Sequence, residues 1–294
     1  MLSIFLLIAL GTAFAADTGA SNSTSSLTYA PTIVPCPKHE KWIRPPHGLS
    51  NGESEWLRNH KRVAHDALCG YLDRLCLENF DVSKYTNALK SSDYAHVPTI
   101  GYAISGGGTA SAYTGTGGLR AFDSRIPGAN EQRVGGLLQV MTYMSGLSGG
   151  AWPTVGLATY DFLDADEVLN YWQPELNREN ATVNSEYATT TESMIGDLAA
   201  KFEAGFNITA ADFFGRLWGY DFVAPPQAGL NQTWSGIKQM PAFQNFTMPM
   251  PIVEMCQLID GNFEYYGLEV PYPNKTFVSI ASFRSKLSLT KQLS

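Results

Sequence analysis

Apolar and polar positions alternate with a helical period in the first quarter of the chain. Between residues 54 and 77, apolar side chains recur three and four positions apart among charged ones, from Trp56 and Leu57 to Leu72 and Leu75. This spacing is typical of an amphipathic helix. The segment therefore predicts one such helix, or two.

Two shorter apolar runs differ from this segment because each leads directly into glycines. Residues 97–104 form a strand candidate that runs into Ser105 and three glycines, and a helix candidate then continues to Phe122. Residues 140–144 form a second strand candidate, followed by the turn Gly-Leu-Ser-Gly-Gly at 146–150 and a helix from Ala151. The repeated order of strand, glycine loop and helix predicts an α/β fold. We expect a three-layer mixed sheet with helices on both faces and both loops at the carboxyl ends of neighbouring strands.

The later part of the chain differs in composition and in the pattern of its predicted elements. Residues from about 161 to 250 are rich in aromatic and turn-forming side chains and lack the clean alternation of strand and helix. This composition predicts an aromatic-rich, cap-like insertion over the sheet.

Length, composition and charge limit the class of protein. A chain of 294 residues that is 44% apolar can bury a large core, as one big domain or two. Its net charge is -7, and no basic run is longer than Lys61-Arg62. Because binding to a phosphate backbone requires a basic footprint, nucleic acid is not expected as a partner.

The amino terminus predicts targeting to a secretory pathway. An apolar core is followed by small residues around Ala15, which is typical of a cleaved signal peptide over residues 1–16. A short membrane anchor or a buried segment is the alternative, but about 12 apolar residues fall short of the roughly 20 that a bilayer span requires. A Ser/Thr-rich leader follows at 17–34, so we expect the mature domain at 35–294 and a secreted protein.

Glycosylation sites and cysteines agree with that compartment. Asn-x-Ser/Thr triplets, the acceptors for N-linked glycans, occur at Asn22, Asn180, Asn207, Asn231, Asn245 and Asn274. The four cysteines lack metal-type spacing, so disulfides fit them better than zinc. Cys69 and Cys76 would lie roughly 10 Å apart along the predicted helix, beyond disulfide reach. Each would therefore need Cys36 or Cys256 as its partner.

The first glycine loop is a candidate oxyanion site. Its position between a strand and a helix aims backbone N–H groups and a helix N-terminus at one point, where negative charge is stabilised. A nucleotide phosphate is not the expected anion, because no Gly-Lys-Ser/Thr follows and Ser111 replaces the last glycine of a dinucleotide fingerprint. A simple tight turn is the alternative. No cofactor is expected.

The second loop is a candidate nucleophile elbow. Its pattern Gly-x-Ser-x-Gly centres on Ser148, and small neighbours are what a strained, exposed serine requires. The alternative is a serine that merely fills a tight turn. An ordinary hydrolase triad needs a histidine later in the chain, yet all five histidines precede Ser148. A carboxylate would therefore have to accept the serine proton.

At these residues the chain resembles the fungal lysophospholipase (phospholipase B) family, which is related to cytosolic phospholipase A2. The resemblance extends from Tyr29 to about Phe277 and includes residues 29–37, 49–57, 105–108, 146–152, 213–216 and 233–253. It implies a Ser/Asp dyad that hydrolyses fatty-acyl esters of phospholipids and lysophospholipids at a membrane or micelle surface, without a metal. It also implies that Ser148 is the nucleophile and that Gly107 and Gly108 are the oxyanion donors.

Two departures from the family pattern bear on activity. The family's glycine loop continues Tyr-Arg-Ala-Met, with the arginine thought to hold substrate phosphate, whereas Ala110 stands at the arginine position here. Arg120 lies ten residues further along, roughly 15 Å away on a helix, and is a poor substitute. The family's catalytic aspartate belongs to an Asp-Gly-Gly segment, and none occurs in these residues. Asp260-Gly261 is the nearest match and corresponds to a family turn of no catalytic role.

Three functional hypotheses follow. The tail at 279–294 stops resembling the family, so we expect the chain to hold only the N-terminal part of the catalytic domain, with the aspartate outside it. The first hypothesis is a secreted lysophospholipase. The second is an inactive relative that binds lipid or a cell-wall partner. The third is an unrelated esterase that uses another carboxylate, such as Asp197 or Asp260.

Overall fold

The structure is a computed structural model, and it describes residues 28–33, 35, 43–44, 48–172, 185–223, 229–230, 232–257, 262–265, 268–271, 276–281 and 287–291. The helices in these ranges are α1 (Asn51–Leu75), α2 (Val82–Ser91), α3 (Gly108–Phe122), α4 (Pro127–Glu131), α5 (Leu137–Val140), α6 (Ala151–Thr159), α7 (Ala165–Tyr171), α8 (Ser185–Glu203), α9 (Ala210–Phe222) and α10 (Pro241–Gln244). The strands are β1 (Ile43–Arg44), β2 (Gly101–Ile104), β3 (Tyr143–Gly146), β4 (Met250–Gln257), β5 (Asn262–Tyr265), β6 (Leu268–Pro271), β7 (Thr276–Ala281) and β8 (Leu287–Lys291). Turns of 3-10 helix occupy Ser148–Gly150 and Trp234–Gln239.

The sheet is mixed, as the sequence predicts. In the described part of the chain, one sheet has the strand order β1-β8-β7-β4-β3-β2, and β5 and β6 form a separate pair. The neighbours β2, β3 and β4 run parallel, whereas β7 is antiparallel to β4 and β8. The α/β class is therefore confirmed. The three-layer arrangement with helices on both faces stays a prediction.

The N-terminal amphipathic segment is one helix rather than two. Its start is fixed by Ser50, whose side chain accepts a hydrogen bond from the Glu53 N–H at 3.1 Å. It ends at Cys76, which adopts the left-handed conformation with φ 49°. Its buried face includes Trp56 and Leu68, so the predicted period correctly identifies the side that packs on the core.

Both strands begin several residues later than the sequence predicts. The first strand begins at Gly101 and not at Val97, whose side chain packs with α1 and α2 instead. In the second, Val140 ends the short helix α5 and the strand begins at Tyr143. Val140 is fully buried in the same cluster as Val97. A short apolar run is buried equally well as helix or strand, so its hydrophobicity alone could not distinguish the two.

The main core lies between the sheet and the helices that follow its strands. It unites apolar side chains from α1, α3, β3, α6, α9 and the segment before β4, including Trp56, Leu119, Met144, Leu157 and Phe222. These contributors come from distant parts of the chain, so the core ties the region around 210–222 to the sheet.

A buried carboxylate joins three segments beneath α3. Asp123 is fully buried and accepts hydrogen bonds from the Arg125 backbone, the Arg125 guanidinium and the Gln139 side chain, at 2.7–3.0 Å. Arg125 also donates to the Phe162 carbonyl and lies over the Phe162 ring. Because every bond involves a charged group, this cluster stabilises the fold more than a surface ion pair would.

The region expected to be cap-like is helical where it is described. It contains α7, α8, α9, the 3-10 turn at Trp234–Gln239 and α10. Phe222 at the end of α9 stacks on Trp152 of α6, with ring centroids 4.9 Å apart. This contact attaches α9 to the helix that follows the candidate elbow. The role of the region as a cap over the sheet stays a prediction.

The cysteines and glycosylation acceptors are only partly covered by the described residues. Cys69 and Cys76 are both free thiols, so the disulfides expected for them are absent from the described part of the chain. Cys36 lies outside the described residues. Asn207 and Asn245 are exposed, while the other four acceptors, Asn22, Asn180, Asn231 and Asn274, lie outside the described residues.

Candidate active site

The two glycine motifs meet at one edge of the sheet. In the parallel pair of β2 and β3, Ile104 lies opposite Gly146, so both strands end at the same level. The Leu147 N–H donates to the Ile104 carbonyl at 3.1 Å, which extends the pairing into the second loop. The expectation that both loops lie at the carboxyl ends of neighbouring strands is therefore confirmed.

The glycines allow the two loops to touch backbone to backbone. A Cβ atom on Gly149 would lie 2.0 Å from the Gly108 carbonyl oxygen, and one on Gly150 would lie 2.4 Å from the Ile104 carbonyl oxygen. A Cβ on Gly146 would lie 2.1 Å from the Gly150 carbonyl oxygen. Real Cβ atoms do not approach other atoms so closely, so each position excludes any side chain.

Ser148 projects from this junction. It has a positive φ of 51°, begins the 3-10 turn that leads into α6, and is exposed to solvent. A non-glycine residue in the left-handed region carries strain, and nucleophile elbows use such strain to present the serine oxygen. The local conformation thus has the form that the Gly-x-Ser-x-Gly pattern predicts.

The first loop lies directly against this serine. A Cβ atom on Gly106 would be 3.1 Å from Ser148 Cβ and 3.8 Å from Ser148 Oγ. Gly107 and Gly108 follow with φ of 150° and 62°, and Gly108 begins α3. Gly106 is the residue that sequence reasoning missed, although the glycine triplet itself contains the signal. The assignment of Gly107 and Gly108 as oxyanion donors stays a prediction.

No proton acceptor for Ser148 is evident in the described part of the chain. Its hydroxyl makes no hydrogen bond to a histidine or a carboxylate there. Asp197 is engaged in an ion pair with the buried Arg216, whose guanidinium nitrogens lie 2.6 and 2.9 Å from one carboxylate oxygen. Asp260 lies outside the described residues. Asp197 is therefore a poor candidate for a base.

Two histidines of α1, His60 and His65, are buried and pack against neighbouring parts of the fold. His60 is buried, stacks on Trp56 with ring centroids 4.7 Å apart, and places Nδ1 2.8 Å from the Phe246 carbonyl oxygen. Burial lowers the pKa of the His60 imidazole, and the hydrogen bond to Phe246 only partly opposes this effect. His65 contacts the Thr86 carbonyl at 3.0 Å. Both side chains therefore serve packing.

The nearest arginine along α3 is occupied elsewhere. Arg120 makes two contacts with the Asp166 carboxylate of α7, at 2.5 and 3.0 Å. Ala110 provides no charge at the helix start. The structure thus agrees with the expectation that Arg120 does not replace the arginine missing at position 110.

Aromatic rings surround the helix behind the candidate nucleophile. Trp152 contacts Trp218 as well as Phe222, with ring centroids 5.6 and 4.9 Å apart, and Trp218 stacks on Phe214. Phe214 and Trp218 are partly exposed on α9. A row of contacting aromatic side chains therefore extends from Trp152, four residues after Ser148, to the partly exposed Phe214 and Trp218.

The described residues hold neither a metal-type cluster nor a helix suited to a bilayer. No group of three or more metal-ligating side chains occurs among them. None of the described helices combines the length and the apolar character needed to cross a membrane.

Comparison with known sequences identifies relatives over most of the chain. Lysophospholipase 2 of Saccharomyces cerevisiae is 37% identical over 284 residues, which cover 93% of this chain and 39% of that protein. Lysophospholipase 2 of Candida glabrata is 34% identical over 276 residues, or 90% of this chain and 38% of that protein. Lysophospholipase 2 of Aspergillus fumigatus is 32% identical over 76% of this chain and 40% of that protein. The chain thus spans about two fifths of the length of these relatives.

Solved structures agree on the fold. Human GIVD cytosolic phospholipase A2 superimposes with a TM-score of 0.57 at 20% identity, over 86% of this chain and 29% of that chain. The same human protein in complex with methyl gamma-linolenyl fluorophosphonate gives a TM-score of 0.53 at 19% identity, over 82% of this chain and 29% of that chain. At these identities the similarity concerns the fold alone.

A family model adds the boundaries of the shared region. The model described as the lysophospholipase catalytic domain matches residues 100–277, which include both glycine motifs and the strands that carry them. The chain belongs to the lysophospholipase catalytic-domain family.

Proposed function

We propose that the protein is a secreted serine hydrolase that cleaves fatty-acyl esters of lysophospholipids and phospholipids. Ser148 is its nucleophile, and Gly107 and Gly108 donate hydrogen bonds to the oxyanion. The base is the family's aspartate, which forms a Ser/Asp dyad with Ser148 and is not among these 294 residues. No metal or cofactor takes part.

The observation that carries this proposal is the junction of the two loops. Ser148 is strained, exposed and placed beside a glycine loop from which a helix starts. Backbone N–H groups at such a helix start stabilise developing negative charge. A serine oxygen and oxyanion donors at one point are the parts that acyl transfer needs.

The chemistry then proceeds in two steps. Ser148 Oγ attacks the ester carbonyl carbon while the aspartate accepts its proton, and the carbonyl oxygen becomes the oxyanion held by the glycine loop. Collapse of this intermediate breaks the ester C–O bond and returns the proton to the departing glycerol oxygen. Water then attacks the acyl-serine in the same way and releases the fatty acid.

The substrate is presented by a membrane or a micelle. The exposed aromatic side chains Phe214 and Trp218 lie on the same helix as Phe222, which packs on Trp152 of α6. Exposed aromatic side chains on a helix that packs against α6 suit an acyl chain better than a polar substrate. Relatives with the printed name lysophospholipase support the same substrate class.

An inactive lipid-binding or partner-binding relative is the second candidate. It is favoured by Ala110 at the family's arginine position and by the absence of Asp-Gly-Gly from the sequence. In that case the strained Ser148 and its loop would persist without hydrolysis.

Covalent labelling separates the two candidates. Methyl gamma-linolenyl fluorophosphonate, the compound bound in the human structure, reacts with activated serines. An oxyanion hole and substrate binding accelerate acyl transfer by about 10³-fold even without the base. We therefore expect slow labelling of this chain and faster labelling once it is extended by the C-terminal part of the Saccharomyces cerevisiae relative.

The labelled residue is the decisive result. Ser148→Ala should abolish labelling in both forms, while Ser91→Ala, which changes an exposed serine of α2, should be labelled like the wild type. Release of fatty acid from lysophosphatidylcholine by the extended chain should follow the same order. An extended wild-type chain that is folded but neither labelled nor active would favour the inactive relative.

The secreted location is tested by expression in a eukaryotic host. The signal peptide at 1–16 predicts a mature amino terminus at Ala16 or Asp17. The exposed acceptors Asn207 and Asn245 predict a loss of mass on glycosidase treatment. A secreted fraction that retains Met1 and loses no mass would contradict this part of the proposal.

A further inference from the structure

The loop that carries the candidate oxyanion donors cannot hold its shape through side chains of its own. Gly106, Gly107 and Gly108 are all exposed, and glycine backbones sample more conformations than those of any other residue. Gly107 is the N-cap of α3 and forms no side-chain capping hydrogen bond. A catalytic loop needs a fixed geometry, so some group outside the triplet must supply it.

Ser111 is placed to supply that constraint in this chain. The family pattern Tyr-Arg-Ala-Met has alanine at this position, so the hydroxyl is a feature of this chain and not of the family. Its hydroxyl donates a hydrogen bond to the backbone carbonyl of Ser105, the residue that begins the loop. Helical serines and threonines ordinarily bond to a carbonyl four residues earlier in the same helix. Thr114 does so, with its hydroxyl 2.8 Å from the Ala110 carbonyl. Ser111 instead reaches six residues back, out of α3 and into the loop, and its side chain is only 9% exposed.

The Ser105 carbonyl is also packed against the elbow. A Cβ atom on Gly150 would lie 2.6 Å from this oxygen, so the carbonyl contacts the second loop as well as Ser111. The peptide unit is planar and trans, so the direction of the Ser105 carbonyl also sets the direction of the Gly106 N–H. Gly106 is the residue that lies against Ser148. The hydrogen bond from Ser111 therefore acts on a peptide plane that lies against the candidate nucleophile.

We propose that Ser111 is a positioning residue for the hydrolase site. Its hydroxyl holds the Ser105–Gly106 peptide and thereby keeps Gly107 and Gly108 in register with Ser148. This inference rests on the proposed function, because it assigns Ser111 a role in the geometry of that same site. Ser111 itself touches neither the substrate nor the reacting atoms.

The test compares three variants of the full chain. Ser111→Ala removes the hydroxyl, Ser111→Thr retains it, and Thr114→Val removes a hydroxyl from the same helix without touching the loop. Amide hydrogen exchange is measured on peptides that cover residues 100–112. Covalent labelling by methyl gamma-linolenyl fluorophosphonate is measured over a range of probe concentrations, which separates the maximal rate from the half-saturating concentration.

We expect Ser111→Ala to raise amide exchange in the peptide that covers residues 100–112, which contains the paired strand β2, about tenfold, the effect of losing one hydrogen bond. The maximal labelling rate should fall by about the same factor, with the half-saturating concentration unchanged. Ser111→Thr and Thr114→Val should behave like the wild type in both measurements. A change of fold would instead move the unfolding temperature and the exchange of the whole chain.

Several outcomes would overturn the inference. Unchanged exchange over residues 100–112 in Ser111→Ala would mean that the hydroxyl does not hold the loop. Faster exchange with an unchanged labelling rate, or failure of Ser111→Thr to restore it, would mean that the loop does not position Ser148. A wild-type chain that is never labelled, even when extended, contradicts the proposed function, and the exchange measurement then still decides whether Ser111 holds the loop.

Discussion

Replacing Gly149 with alanine tests whether the two loops depend on close backbone contact. The new Cβ atom would lie 2.0 Å from the Gly108 carbonyl oxygen, and 2.7 and 2.8 Å from the Gly108 carbonyl carbon and nitrogen. All three neighbours are backbone atoms, so no side chain can rotate away to relieve the overlap. The elbow and the glycine loop must separate by about 1 Å before the contact becomes tolerable.

The expected effect on stability is large for a single methyl group. Overpacking a rigid site costs about 1–3 kcal/mol, and a collision with backbone atoms belongs at the upper end of that range. For a domain of this size, 3 kcal/mol corresponds to a fall of about 6–12 °C in the unfolding temperature. Separation of the loops should also reduce the rate of labelling at Ser148 about a hundredfold, since a misplacement of 1 Å has that effect on catalysis.

Gly117→Ala is the matched control. Gly117 lies in the middle of α3 and is exposed, and a Cβ atom added to it would meet no other atom within 4 Å. The same methyl group should raise the unfolding temperature there by about 2–4 °C, because alanine favours a helix by about 1 kcal/mol over glycine. Circular dichroism melting and fluorophosphonate labelling measure both effects. A Gly149→Ala chain with the melting temperature and labelling rate of the wild type would refute the reasoning.

Further predictions concern buried charge and the altered glycine loop. Burial lowers the pKa of His60 in the folded state, so the unfolded chain binds the proton more readily and the unfolding temperature should fall as pH drops below about 6.5. His60→Gln should flatten this dependence of the unfolding temperature on pH, whereas the same change at the exposed His96 should not. Asp123→Asn should lower the free energy of unfolding by about 1.5–3 kcal/mol in urea titrations, whereas Asp93→Asn, in an exposed ion pair, should change it by less than about 1 kcal/mol. Ala110→Arg should change the rate of lysophospholipid hydrolysis by the 294-residue chain only modestly. Extension by the C-terminal part of the Saccharomyces cerevisiae relative, which supplies the family's aspartate, should raise that rate by several powers of ten. An arginine variant as active as the extended chain would contradict this ranking of the two effects.

The sequence identifies the elements of this fold better than it places their boundaries. Strand, glycine loop and helix occur twice in the predicted order, and Ile104 and Gly146 end neighbouring parallel strands. The apolar character of Val97 and Val140 predicts strands at both positions, yet both residues lie in the cluster between α1 and α2. Tertiary packing decides such cases, since burial satisfies an apolar side chain in either conformation.

The site is predictable only as far as its signals are local. Ser148 and the glycine triplet form short motifs, so the sequence locates them directly. The contact of Ser111 with Ser105 depends on how α3 meets its loop, and a serine inside a helix has no distinctive pattern. The stacking of Trp152 on Phe222 joins residues 70 positions apart in the chain. Such contacts follow from the assembled fold and not from spacing.

The conformation of Ser148 bears on the choice between a nucleophile and a turn filler. Its φ of 51° would suit glycine, and a residue with a side chain pays about 1–2 kcal/mol to adopt it. Eight other non-glycine residues in the described chain have positive φ, and each lies one to four residues after the end of a helix, where such conformations are common: Cys76, Asn79, Asp93, Tyr94, Arg133, Asp161, Phe162 and Phe246. Ser148 instead opens a helical turn directly after a strand.

The neighbouring glycines bear on the same choice. Gly149 and Gly150 do not have positive φ, and they are needed because the first loop leaves no room for a Cβ atom. Glycine therefore occupies the positions that require close approach, while the one position of the turn with a left-handed backbone carries a serine. A turn selected for stability alone would place glycine at 148. The strain retained at Ser148 is best explained by a requirement for its exposed hydroxyl, which favours the nucleophile over the turn filler.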